Sequence, residues 1–184
     1  MRIIAGESRG RIISAPEGIH TRPTLDRVRE NIFNMIQYDI PGSRVLDLFA
    51  GSGALSLEAL SRGSAFAVLN DKDRRAYAVQ QKNILALGYD ERCRQLRCDW
   101  RAAIETLCKE KESFDLVFLD PPYAVLDMRE VFSALIPLIG TDTLIVLEHQ
   151  SGEEPLVPEC FSAVKRRSWG FCAAAIYRLS EEGV

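Results

Sequence analysis

Nothing in this 184-residue chain is apolar for long enough to cross a bilayer. Its longest run without a charged residue, positions 131–141, is 11 residues, against the roughly 20 that a spanning helix needs. No membrane association is expected, and no basic stretch followed by an apolar one marks a secretory signal. Histidine is scarce, at two residues, and the five cysteines (93, 98, 108, 160 and 172) form no C-x-x-C pair. That pattern argues against a zinc-type ligand set and a disulfide framework. No metal is expected, and reduced thiols in a cytoplasmic protein fit it. Basic charge is short as well: 23 Lys and Arg face 26 Asp and Glu, for a net charge of −3. Such a chain does not coat nucleic acid indiscriminately, and a polynucleotide partner has to meet a local basic patch. Internal repeats and low-complexity segments are absent too. The length suits one domain with a small appendage, expected to act as a monomer.

From Ser43 onward, apolar runs alternate with helical patterns. Strands are predicted near 44–49, 65–70, 93–97, 114–119 and 143–148, and helices near 54–62, 73–87, 100–110 and 127–138. Gly63 and Gly88 end the first two helices, and Pro137 kinks or finishes the last. The tail differs: residues 160–167 and 171–179 read as an antiparallel hairpin turning at Trp169-Gly170. The predicted fold is α/β, a Rossmann-like, mainly parallel, doubly wound sheet with a C-terminal antiparallel hairpin. A small appendage, residues 1–42, precedes the main domain at 43–184. In it, residues 2–5 and 11–14 are predicted as short strands joined by GESRG, and Pro23-Thr24 opens a helix with Thr24 as N-cap. Leu25, Val28, Ile32, Phe33 and Ile36 form the buried face of that helix, while Arg27 and Arg29 lie on the other. Six arginines against three acids give the first 29 residues a local charge of +3.

Three short stretches carry chemistry. Residues 45–53, VLDLFAGSG, read as a strand carrying Asp47 into a glycine turn, where Gly51 and Gly53 let the backbone approach a ligand. A dinucleotide fingerprint, G-x-G-x-x-G, needs a third glycine where Ser56 stands. A carboxylate ahead of a broken fingerprint suits a nucleoside carrying a sulfonium better than a pyrophosphate. Asp71, 20 residues after Gly51 and following a second apolar run, is placed to accept hydrogen bonds from both ribose hydroxyls. Residues 114–123, FDLVFLDPPY, end a buried strand in Asp120, Pro121, Pro122 and Tyr123. Asp47, Asp71, Asp99 and Asp120 all fall at or near carboxyl ends of predicted strands, where such sheets bind ligands. Asp99 is equally an N-cap for the helix that follows.

VLDLFAGSGALSLEAL (45–60) together with FLDPPY (118–123) resembles the class I S-adenosylmethionine-dependent amino-methyltransferases. RIIAGESRGRII (2–13) and TRPTLDRVRENIFNMI (21–36) narrow the resemblance to the RsmD family. Members of that family methylate the exocyclic N2 amine of a guanine in bacterial 16S ribosomal RNA. The resemblance therefore implies 16S rRNA, free or in the assembling small ribosomal subunit, as partner and S-adenosyl-L-methionine as cofactor. It implies that Asp47 with Phe49, Ala50, Gly51, Ser52 and Gly53 holds the methionine end of the cofactor. Asp71 would bind its ribose, and Asp99 and Trp100 would meet its adenine. Asp120 and the carbonyl of Pro121 would accept the amine hydrogens, and Pro122 would stiffen the turn. Tyr123 would stack on the target base. Arg9, Arg11, Arg22, Thr24 and Arg27 would face the RNA. The same Asp-Pro-Pro-Tyr chemistry serves adenine-N6 DNA methyltransferases, the runner-up reading. A nucleotide-binding oxidoreductase or a non-catalytic binding protein with a similar sheet stands further off.

Overall fold

The computed structural model describes residues 1–15, 23–121 and 127–180, with the backbone alone at 23–25. Short apolar runs in this chain become strands buried on both faces, and amphipathic runs become the helices that cover them. The strands are β1 (Arg44–Asp47), β2 (Phe66–Asn70), β3 (Cys93–Leu96), β4 (Phe114–Leu119), β5 (Ile139–Gln150), β6 (Phe161–Trp169) and β7 (Cys172–Leu179). The helices are α1 (Pro23–Met35), α2 (Ala54–Ser61), α3 (Arg74–Leu87), α4 (Trp100–Lys109) and α5 (Arg129–Leu135). All seven strands join one sheet in the order β3-β2-β1-β4-β5-β7-β6. The first five are parallel, and β7 runs antiparallel to both of its neighbours. The α/β sheet with its C-terminal hairpin is as expected from the alternating pattern. Among the described residues no helix is long and apolar enough to cross a membrane.

Alternate residues of each strand feed two cores, one on each side of the sheet. Val45, Leu116, Phe118, Val146 and Ile176 pack beneath α1 and α2, while Leu46, Val117, Leu119, Ile145 and Leu147 pack against α4 and α5. The helix expected at 127–138 is cut short. It ends at Leu135, and Pro137, which has no N–H to continue the ladder, sits in a 3₁₀ turn, Ile136–Leu138. That early stop lets β5 begin at Ile139 rather than 143, and the ladder with β4 slips between Phe114 and Leu116 to absorb the extra residues.

The N-terminal segment is less sheet-like than its sequence suggests. Its two predicted strands reduce to one bridge, Arg2 with Ile12, because the turn between them consumes the pairing. Gly6, at φ 84°, is pressed so closely on α2 that an added Cβ would lie 1.7 Å from the carbonyl oxygen of Ser61. Helix α1 begins at Pro23, one residue ahead of the Thr24 cap expected. Ile3, Ile13, Val28, Ile32, Phe33 and Ile36 all join the core that holds Val45, Leu57 and Leu60. Arg29 departs from the solvated face predicted for it. It is buried, donating to Asp26 Oδ1 at 3.1 Å and to the carbonyl of Arg2.

Glu58, fully buried on α2, ties the segment down. Its carboxylate accepts the backbone N–H of Ile4 at 2.7 Å and of Ala5 at 3.0 Å, and Arg62 Nε at 2.7 Å. Removing it strands two backbone donors and a guanidinium inside the protein. Glu58→Ala should therefore cost about 3–5 kcal/mol of stability, read as a lower midpoint in urea denaturation. A midpoint matching the parent would show that the segment is held by its apolar contacts alone.

Candidate active site

The sheet reverses strand order between β1 and β4, and the crevice this leaves lies at the carboxyl ends of the parallel strands. Asp47 ends β1 and Asp120 follows directly on β4. Leu119 pairs with Leu147, so the next residues, Asp120 and Glu148, stand level on neighbouring strands. All three acids alternate with residues of the α4/α5 core, and so face the α1/α2 side together.

This crowding shows in their proton affinities. Burial, with Asp120 and Asp71 nearby, pushes Asp47 up to about 7, while the Ser56 hydroxyl, donating to its Oδ2 at 2.8 Å, works the other way. Its Oδ1 is buried with no partner among the described residues. Asp120 is reachable from the crevice, but the protein packed around it strips enough water to push its carboxyl up to about 6. Glu148 is driven well above the ordinary carboxylate range by burial, then by Asp120 and Asp47, with Arg29 of α1 opposing. Among the described residues the crevice is thus rich in acceptors and poor in donors, which suits a cationic or amine-bearing ligand.

Above the acids, the glycine turn is clamped on several sides. Gly51 donates its N–H to Asp71 Oδ2 at 2.9 Å, and Gln80 Nε2 donates to the Gly51 carbonyl at 3.1 Å. Asn83 Nδ2 donates to the Ser52 carbonyl at 3.0 Å, and the N–H of Ala50 to the carbonyl of Asn70 at 2.9 Å. Gly51 itself, at φ 52°, has no atom within 4 Å of where a Cβ would stand, so its backbone is open to a ligand. Asp71 also accepts the N–H of Asp73 at 2.9 Å. Asp73 turns away to cap α3, taking the N–H of Arg75 at 2.6 Å.

The other predicted residues fall as follows. Asp99 does cap α4, accepting from the N–H of Arg101 at 3.0 Å, and Trp100 is half-buried with the Arg101 guanidinium 4.2 Å from its ring centroid. Phe49 packs against the α4/α5 core, and Pro121 is buried beside Asp120. Pro122 and Tyr123 lie outside the described residues, as do Arg22 and the side chain of Thr24. Arg9 and Arg27 share one surface groove of about 480 Å³ with Arg2, Asp26 and Glu30. Arg11 points elsewhere, to the carbonyl of Ala86 at the end of α3. Sequence reasoning missed Glu148, Gln80 and Asn83, and treated Ser56 only as a break in a motif. Glu148 left one signal, a lone acid closing the apolar run of β5.

The family model described as Conserved hypothetical protein 95 matches residues 1–178. Ribosomal RNA small subunit methyltransferase D of Escherichia coli (strain K12) is 34% identical over 186 residues, covering 100% of this chain and 92% of that protein. The protein YlbH of Bacillus subtilis (strain 168) is 36% identical over 183 residues, covering 97% and 98%. The solved structure of Escherichia coli yhhF superposes with a TM-score of 0.83 at 33% identity, covering 98% of each chain. With a match that includes the N-terminal segment, the sheet and the hairpin, the chain belongs to the Conserved hypothetical protein 95, or RsmD, family.

Proposed function

We propose that the protein methylates the exocyclic N2 amine of a guanine in 16S ribosomal RNA, with S-adenosyl-L-methionine as methyl donor. The observation that carries this reading is the acid-lined, donor-poor crevice at the β1/β4 switch, beside a clamped glycine turn. The orphaned Oδ1 of buried Asp47 fits the ammonium of the cofactor's methionine end. Asp71 offers its remaining lone pairs to the ribose, and Gly51 leaves its backbone open. Family membership along residues 1–178 takes in the N-terminal segment as well, which favours ribosomal RNA over the DNA reading.

When bound, the cofactor supplies an electrophilic methyl group on a sulfonium. The protein's part is to make a poor nucleophile competent. A guanine amine delocalises its lone pair into the ring, and Asp120 with the Pro121 carbonyl would accept its two hydrogens and turn the lone pair out of plane. Asp120 would then take the proton that the methylated amine must shed. Pro121-Pro122 limits backbone freedom, so these acceptors are set before the base arrives. Arg9 and Arg27 would meet RNA phosphates along their shared groove.

Labelled cofactor incubated with 16S rRNA, free or in small-subunit particles, tests the reading once the product is digested to nucleosides. Label on N2-methylguanosine is expected, and label on an adenosine alone would overturn it. Asp120→Asn should slow transfer by about a hundredfold or more, the usual worth of a positioned base, with cofactor affinity within a few-fold. A variant keeping a tenth of parental turnover would remove Asp120 from this role.

Cofactor binding should also depend on pH in a stated direction. In the free protein Asp47 is half-protonated near 7, and a bound cation favours its ionised form, so binding releases a proton. Affinity should therefore rise as pH goes from 6 to 8 and level off above, with calorimetry in two buffers of different ionisation heat reading the released proton. Asp47→Asn should flatten that rise, and an unchanged slope would place the ammonium elsewhere. On the RNA side, replacing Arg9 and Arg27 by alanine should lower the salt slope of binding by about 1.4, at ~0.7 per single-strand phosphate contact. Arg11→Ala, which loses only a bond to α3, should leave the slope unchanged.

A further inference from the structure

None of the residues assigned to the cofactor above comes from the β6–β7 hairpin, yet its tip lies at the carboxyl edge of the sheet, beside the crevice. The register fixes this. Glu148, level with Asp120, pairs with Ala174 of β7, which pairs in turn with Arg167 of β6. Two residues further toward the carboxyl edge, Gln150 pairs with Cys172 and Cys172 with Trp169. The turn Gly170-Phe171, one residue further still, therefore lies about 10 Å above the level of Asp120 and two to three strands, about 10–14 Å, to its side.

The tip is built as a rigid mount carrying one exposed ring. Trp169 and Cys172 pack on the α1/α2 core, and Gly170 makes the turn at φ 62°. Phe171 between them is 90% exposed. Cationic groups line β6 below it. Arg166 is held by Glu154, while Arg167, level with Glu148, is exposed and among the described residues donates to the carbonyl of Arg166 at 3.4 Å.

We propose that Phe171 is a stacking platform for an unpaired nucleobase of the substrate RNA beside the target guanine, with Arg167 contacting its phosphate. The inference rests on the RNA-methylation reading above. Enzymes that act on a base take it out of its stack, which strips a neighbouring base of a partner. Single-stranded RNA is commonly held by aromatic faces and cations together, because every base has a π-face and every linkage a charge. The ring and guanidinium stand at the active-site edge of the sheet and on the side away from β1, so they extend the crevice without entering the cofactor site.

The test compares Phe171→Ala, Phe171→Leu and Phe171→Trp in the full chain, with free 16S rRNA and small-subunit particles as probes. Phe171 is exposed and at a turn, so thermal midpoint and cofactor affinity should match the parent in all three. Phe171→Ala should raise the RNA KM about tenfold, within the range of one lost base stack. Phe171→Trp should restore it, and Phe171→Leu, apolar but without a ring face, should behave like alanine. Arg167→Ala should lower the salt slope of RNA binding by about 0.7. An RNA KM unchanged by Phe171→Ala, or fully restored by leucine, overturns the stacking platform while methyl transfer itself persists. If the parent transfers no methyl to either RNA, the RNA reading itself falls, and the platform with it.

Discussion

Everything functional in this protein depends on how β1 lies against β4. The two strands pair in parallel, Val45 with Leu116 through Asp47 with Phe118, and the N–H of Leu48 reaches the carbonyl of Phe118 at 3.2 Å. They are also where the winding of the sheet reverses. The helices that follow the two strands, α2 and α5, lie on opposite faces of the sheet, which opens a crevice at the strands' carboxyl ends. Strand ends that would otherwise be wrapped become a crevice, and side chains placed there meet a ligand instead of a helix.

The crevice is electrostatically unfavourable for the free protein. Asp47, Asp120 and Glu148 converge on it; burial raises the proton affinity of each, and repulsion from neighbouring acids adds to it at Asp47 and Glu148. Arg29 offers partial relief from α1, itself held below its ordinary value by burial. Such strain is typical of sites whose ligand completes them. A cation next to Asp47 and an amine next to Asp120 would supply the missing donors. Around the acids, Gln80, Asn83 and Asp71 hold the glycine turn in place through its backbone, so little has to be ordered when a ligand arrives.

The N-terminal segment contributes to both parts. Its isoleucines complete the core under α1, Glu58 anchors its backbone, and Tyr89 Oη donates to Ser8 Oγ at 2.7 Å. With its inner side spent on these contacts, Arg9 and Arg27 are left along an outer groove. The segment carries positive charge on an otherwise acidic molecule, at a position fixed relative to the crevice. The hairpin tip adds a second rigid feature on the far side of β5.

Much of this was legible in the sequence, because the signals are local. Alternating apolar runs determined the strands, and the same runs determined that the sheet is mostly parallel, since only buried strands are apolar on both faces. Asp47, Asp71 and Asp120 could be found because each follows an apolar run at a turn. Contacts between distant segments left no such trace. Glu148 is 28 residues beyond Asp120 in the chain and became its neighbour only through the β4/β5 ladder. Arg29 lies two residues from Arg27, on the opposite side of the helix, so spacing already set it among Ile32, Phe33 and Ile36; its charge alone suggested solvent, and only tertiary packing supplied the Arg2 carbonyl that partners it in the interior. Periodicity along one chain determines which residues lie on one side of an element; which element covers that side is a matter of long-range packing, and that was decided by the tertiary structure.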